Sequence, residues 1–230
     1  MQLNVGNGLF PGLNDQEGIM ICGYEWGYSK RDQLHSANGI KQLGSGEKIE
    51  VPFSSKFQHF GDRALTWRYD QRLIKWFKIW GHELKSPASG SFEKTIVQTN
   101  WCDTENNSIE GDYWNKLLAE DQIKNFIFHI EKLRPKLIIF CGSQLIKCLQ
   151  VKKVIDPFIS IVGPITRPLQ FQQKIFTGRR FKIGFQSHAG CDIVSLPHPS
   201  SSRGLSDDYI ALFSDEIGQK IQTIKMAKGI

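Results

Sequence analysis

Along the chain, short apolar runs alternate with longer stretches in which apolar residues recur at helical spacing. Residues 17–24 are apolar and close on a glycine, residues 94–100 are β-branched and turn polar at their end, and residues 136–142 form a bare apolar run. Continuous hydrophobicity without a polar alternate face predicts parallel strands covered on both sides. Residues 181–186 and 192–196 add two shorter strand candidates, the second ending at Pro197, where a ladder donor is lost. Helical periodicity runs over 64–84, over 113–133 ahead of Pro135, over 143–151 and over 207–226, with Ser143 and Ser206 as candidate N-caps. Residues 28–48 are polar, carry Gly39, Gly44 and Gly46 and follow no period, so they read as a loop insertion.

Strands alternating with helices predict an α/β fold: a three-layer α/β/α domain over 1–230 around a central, mostly parallel four-stranded sheet. In such a fold the ligand site lies outside the carboxyl ends of the strands. With 230 residues, 40% of them hydrophobic, the chain can bury one full core. Cys22, Cys102, Cys141, Cys148 and Cys191 lack the close spacing of a zinc or iron–sulfur site. They are therefore expected to be reduced thiols of a cytoplasmic protein, with no metal and no cofactor. Residues 1–13 carry no basic segment followed by a long apolar stretch, and later apolar runs are too short to span a bilayer. A membrane partner is therefore not expected. The formal net charge of +6 suits a polyanion, although many proteins that never touch nucleic acid share it.

Chemistry concentrates at three predicted strand ends: Gly23-Tyr24-Glu25-Trp26-Gly27, Thr99-Asn100-Trp101-Cys102 and Leu196-Pro197-His198-Pro199-Ser200. Glu25, bracketed by two glycines after a buried strand, sits where a carboxylate can orient water or stabilise a cation; the plainer reading is a solvated turn residue. His198 lies between prolines that fix its backbone, which is one way to aim an electrophilic or acid group; the plainer reading is a packed loop histidine. Asn100 can donate and accept at once, as reading a pyrimidine edge requires, and would otherwise be a capping residue. Trp67, Trp76, Phe77 and Trp80 alternate with Arg68, Arg72, Lys75 and Lys78, a pattern read here as helix core flanked by solvated charge rather than a nucleic-acid face.

Taken together, these segments resemble the uracil-DNA glycosylase superfamily. Gly23 to Gly27 looks like the family's water-directing segment, with Glu25 in place of its Asp or Asn, and His198-Pro199-Ser200 looks like its His-Pro-Ser segment ahead of the last helix. Thr99-Asn100-Trp101-Cys102 is similar to the base-reading segment of the single-strand-selective monofunctional branch, and Val51-Pro52-Phe53 to the segment whose ring stacks on the flipped base. The chain departs from the pattern at Glu25, at Trp26 in place of Pro, in the long gap before Phe53, and at Ser201 in place of a second Pro. The cysteine spacing of the cluster-bearing branches is absent, so the resemblance implies no cluster.

The resemblance implies a monofunctional DNA glycosylase that flips a uracil-like or 5-modified pyrimidine out of DNA and hydrolyses its glycosidic bond, in base-excision repair or in defence against modified phage DNA. Glu25 and His198 would be catalytic, and Asn100, Phe53, Tyr24, Trp26 and Gly27 would contact the base. Ser143, Ser200, Ser201, Ser202, Arg203 and Leu205 would contact DNA, with Leu205 or Arg203 as a wedge. No lysine lies in the first or last of these segments to form a Schiff base, so intact abasic sites are expected. Gly27 stands where the most uracil-restricted branch has a tyrosine that excludes 5-substituents, so a larger base would fit. The chain is expected to act on DNA as a monomer. Two rivals are a DNA-binding relative without hydrolysis and an unrelated nucleotide- or flavin-binding domain; the absence of a Gly-rich phosphate loop counts against the second.

Overall fold

The computed structural model describes residues 17–27, 67–84, 91–106 and 112–230. The expected insertion at 28–48 and Phe53 lie outside the described residues. The chain builds a six-stranded mixed sheet, with helices on both faces. Its parallel part is β1 (Ile19–Gly23), β3 (Ile96–Asn100), β5 (Leu137–Cys141) and β8 (Asp192–Leu196); its antiparallel part is the hairpin of β6 (Ile165–Gln172) and β7 (Ile183–His188). The spatial order is β3-β1-β5-β8-β7-β6. Two short strands, β2 (Trp26–Gly27) and β4 (Glu105–Asn106), pair parallel beyond the ends of β1 and β3.

The α/β class and the four parallel strands follow the sequence pattern, because those strands are buried on both faces. In β1, Ile19 and Ile21 face one core while Met20 and Cys22 face the other; in β5, Leu137, Ile139 and Cys141 oppose Ile138 and Phe140. The first core is closed by α1 (Arg68–Ile79), α6 (Asp207–Ala211) and α7 (Ser214–Ala227), through Trp76, Phe77, Tyr209, Phe213 and Ile217. The second is closed by α2 (Tyr113–Leu117), α3 (Glu120–Leu133), α4 (Leu145–Leu149) and α5 (Lys152–Val162), through Leu117, Phe126, Ile130, Ile146 and Phe158. Trp76, Phe77 and Trp80 are all buried, so the aromatic stripe of α1 is core.

The four-stranded expectation is corrected to six. Strand β6 was missed because nearly every one of its residues is exposed and Pro168 interrupts it, so no buried face imposes a period; both traits belong to an edge strand. Helix α5 was missed as well, with Pro157 inside it. The stretch 113–133 breaks into α2 and α3, and 207–226 into α6 and α7. Ser206 does cap α6, accepting from the Tyr209 amide at 3.2 Å, whereas Ser143 precedes α4 by more than a cap position. All five cysteines are buried and free, and no helix among the described residues is long and apolar enough to cross a membrane.

Phe126 is 1% exposed and stacks on Trp101 at 4.0 Å and on Phe158 at 6.1 Å. Truncation there removes transfer energy and leaves a cavity, so Phe126→Ala is expected to lower stability by about 3–5 kcal/mol. Urea unfolding with an unchanged slope and a lowered midpoint checks this.

Candidate functional site

The carboxyl ends of β1, β3, β5 and β8 converge at one edge of the sheet, and the sequence-predicted segments meet there. Gly23 pairs with Asn100 in register, and the Trp101 and Cys102 amides donate to the Gly23 and Tyr24 carbonyls at 2.9 and 2.8 Å. A Cβ on Gly23 would collide with Asn100 Oδ1, so the glycine is what lets the buried Asn100 side chain fold across the strand end. Gly142 has the same role for Tyr24: a side chain there would strike the phenol ring, whose hydroxyl accepts from the Gln144 amide at 3.1 Å.

His198 follows β8 and is half-buried between the rings of Tyr24, nearly parallel at 6.3 Å between centroids, and Tyr69, at 5.5 Å. Its Nδ1 receives the backbone amides of Ser200 at 3.3 Å and Ser201 at 3.2 Å. An amide can only donate, so Nδ1 is the unprotonated nitrogen and the proton of the neutral ring resides on Nε2. Burial pushes the imidazole down to about 4. At neutral pH the group is therefore an uncharged hydrogen-bond donor with a fixed tautomer.

Three bonds from Arg72, on α1, hold the loop that carries His198. Its guanidinium donates to the Pro199 carbonyl at 2.9 Å, to the Leu205 carbonyl and to Asp207 at 3.3 Å. Asp207 also accepts from Trp76 Nε1 at 2.9 Å and pairs with Lys75 at 2.6 Å. Burial alone would raise the Asp207 carboxyl, but Lys75, Trp76 and Arg72 together hold it below its ordinary value. Arg72 was read from sequence as solvated charge. Its spacing on α1 cannot reveal acceptors located some 130 residues away, and its side chain is only 13% exposed.

A cavity of about 430 Å³ opens at this edge. Tyr24, Ser143, His198, Ser201 and Ser202 line it, as do Lys147 of α4 and Phe171, Phe181 and Lys182 of the hairpin. Sequence reasoning missed the last four; single lysines on helix or strand surfaces give no signal of a shared cavity. Glu25 and Asn100 do not line it. The Glu25 side chain is 5% exposed, pairs with Lys116 of α2 and accepts from Thr104 Oγ1 at 2.9 Å. Its Oε1 and the Tyr113 hydroxyl are buried and make no other hydrogen bond among the described residues, and the two groups interact with each other: burial, first, and the Glu25 carboxylate hold the phenol well above its ordinary value. Tyr113 in turn meets Tyr24 edge-on at 5.2 Å, and Tyr24 meets His198, so a run of ring contacts links the surroundings of Glu25 to the imidazole.

In the last loop, Leu205 is turned away from solvent and the serine amides are already bonded. Leu205 is 6% exposed and packs into the first core, because Gly204, at φ 82°, turns the chain inward there; it cannot act as a wedge. The amides of Ser200 and Ser201 are spent on His198 and that of Ser202 on the His198 carbonyl at 3.2 Å, so these three amides are not free for phosphate. Arg203 is exposed, and the Ser201 and Ser202 residues line the cavity. Of Trp26 and Gly27 the backbone alone is described, in β2. No group of three potential metal ligands occurs among the described residues. No protein-family model matches the chain, and no curated protein matches it.

Because the folded imidazole of His198 binds a proton only near 4 and the unfolded one near its ordinary 6.5, the unfolded chain binds more protons between those values; stability is lost as pH falls through that window. Ring NMR signals of His198, assigned by loss in His198→Ala, are expected to show no inflection from pH 8 down to about 5.5. An inflection near 6.5 would contradict the buried, amide-held ring. For the loop clamp, Arg72→Lys is expected to lower stability by about 1–3 kcal/mol, since an ammonium cannot reproduce the planar fork that reaches three acceptors. Denaturant unfolding of the two proteins measures that difference.

Proposed function

We propose that the protein is a monofunctional DNA glycosylase, which takes a uracil-like or 5-substituted pyrimidine out of the DNA stack, hydrolyses its N-glycosidic bond and leaves an abasic site. The observation that carries this reading is His198: a neutral imidazole, fixed by two amides on Nδ1 and presenting Nε2–H, at the edge of a cavity of about 430 Å³. When the C1′–N bond breaks, its electron pair goes to the departing base and charge develops on a carbonyl oxygen. A preorganised neutral donor stabilises that oxygen without first giving up a proton. Water adds its oxygen to C1′ of the sugar, and the proton it gives up ends on the departed base anion, so that the products are an abasic sugar and a neutral free base. Glu25, a buried carboxylate just past the end of β1 beside Tyr113, is the group this reading assigns to water and to the cationic sugar. Tyr24, against Gly142, supplies a wall of the pocket.

A second reading, a DNA-binding protein of similar fold that does not hydrolyse, is favoured by one observation: the Glu25 carboxylate is tied to Lys116 and Thr104 and does not line the cavity.

Mass spectrometry of free base released from oligonucleotides carrying uracil, hypoxanthine, 5-hydroxymethyluracil or modified cytosines separates the two. We expect release by the wild type, a loss of about 100- to 1,000-fold in His198→Ala, and at least about tenfold in Glu25→Gln. Borohydride is expected to trap no adduct, even though Lys147 and Lys182 line the cavity. A wild type that binds these oligonucleotides but frees no base from any of them would sink the enzymatic reading.

A further inference from the structure

The hairpin of β6 and β7 changes the composition of the cavity. Because β7 runs antiparallel to β8, its first residue and the last residue of β6 lie at the same sheet edge as His198. Residues 173–182, which join the two strands, therefore project beside the His198 loop. They are tied down there: the Arg179 guanidinium donates to the Arg203 carbonyl at 2.9 Å, the Arg179 stem lies on Gly204, and the Tyr209 hydroxyl donates to the Phe181 carbonyl. Phe171 sits opposite Gly184 in register, and its ring lies across that glycine beside Ile146 of α4.

The result is a cavity whose lining, among the described residues, includes Lys182 from the hairpin and Lys147 from α4 but no carboxylate. The two side chains form no ion pair or hydrogen bond among the described residues. Ser143, Ser201 and Ser202 add hydroxyl groups to the lining, and Phe171 and Phe181 add apolar faces. Two lysines without an ion pair lining one concave site with hydroxyl donors, and no acid among its described lining residues, make a receptor for a compact oxyanion, and the adjoining phenyl rings suit a planar base.

We infer that the cavity holds a phosphate group between Lys147 and Lys182, with the β6–β7 hairpin supplying one of its two cations and its aromatic wall. The phosphate has two chemical sources: the backbone of a DNA strand passing the cavity, or a free nucleoside monophosphate. The inference does not rest on base hydrolysis, since the anion is recognised by residues to which the glycosylase reading gives no catalytic role.

The test is calorimetric and anisotropy titration of the intact chain and of Lys147→Gln, Lys182→Gln and the double variant, all at exposed positions where the fold is expected to persist. The small-molecule probes are inorganic phosphate, thymidine and thymidine monophosphate; the polymer probe is a fluorescein-labelled single-stranded oligonucleotide without damaged bases. If the phosphate comes from a free nucleotide, thymidine monophosphate binds at least tenfold more tightly than thymidine, and the double variant abolishes that difference. If it comes from a DNA backbone, oligonucleotide affinity falls at least tenfold in the double variant, and the logarithmic salt dependence becomes shallower by about 0.7 for each lysine removed. Wild-type affinities and salt dependence in the double variant, with no preference for the monophosphate, would overturn the inference. A wild type that takes up phosphate through both lysines yet releases no base overturns the glycosylase reading alone. Base release by a protein whose lysine variants bind every probe like the wild type overturns this inference alone.

Discussion

The Arg72 guanidinium is the contact on which the arrangement at the sheet edge depends. The chain from Pro197 to Leu205 has two prolines and belongs to no strand or helix, so ladder bonds do not fix it. Arg72 replaces that missing ladder by donating to carbonyls at both ends of the loop and to Asp207 beyond it. A charge this poorly hydrated is stable because its counterion is held by two further donors, Lys75 and Trp76. The planar fork suits three divergent acceptors in a way a single ammonium cannot. Helix α1, whose own apolar face is core, thereby sets the position of an imidazole that is remote in sequence.

That clamp lets the protein keep His198 uncharged. A shift from 6.5 to about 4 corresponds to roughly 3 kcal/mol of preference for the neutral ring over the charged one. Burial supplies the shift, and the amides of Ser200 and Ser201 reinforce it because two donors aimed at Nδ1 oppose protonation there. An imidazole held in this way is a poor general acid at neutral pH and a good preorganised hydrogen-bond donor. The same geometry explains why the serines after His198 have little left to offer a phosphate through their backbone: their amides already serve the ring.

Central strands were legible because burial on both faces writes an uninterrupted apolar run, as in Leu137–Cys141, and because Pro197 marks where β8 must end. Strand-end placement was enough to single out Tyr24 and His198, which line the cavity, and Asn100, which packs against Gly23. Edge strand β6 was not legible, since an exposed strand is under no demand to alternate. Charged residues were legible least of all. Arg72, Lys116, Lys147 and Lys182 look alike in a sequence, yet one staples a loop, one neutralises Glu25 and two face a cavity; the difference lies wholly in which distant groups the fold brings to them. Leu205 misled for the opposite reason, because a polar, glycine-bearing loop gives no hint that a positive φ at Gly204 will turn the next side chain into the core.

Strand direction accounts for the character of the cavity. A parallel strand beside β8 would bring only its carboxyl end to the site and would need a long crossover to do so. The antiparallel pair instead delivers the end of β6 and the beginning of β7 to the same edge, so one continuous segment supplies Phe171 before its turn and Phe181 and Lys182 after it. Closing that segment against the His198 loop through Arg179 and Tyr209 couples it to the element that Arg72 already fixes. The wall of the cavity and its hydrogen-bond donor are thus positioned by two adjoining sets of bonds, one reaching from α1 and the other from α6. An edge strand with almost no sequence signature of its own becomes part of the site because it ends where the buried β7 begins, on a segment tied to α6 and to the His198 loop.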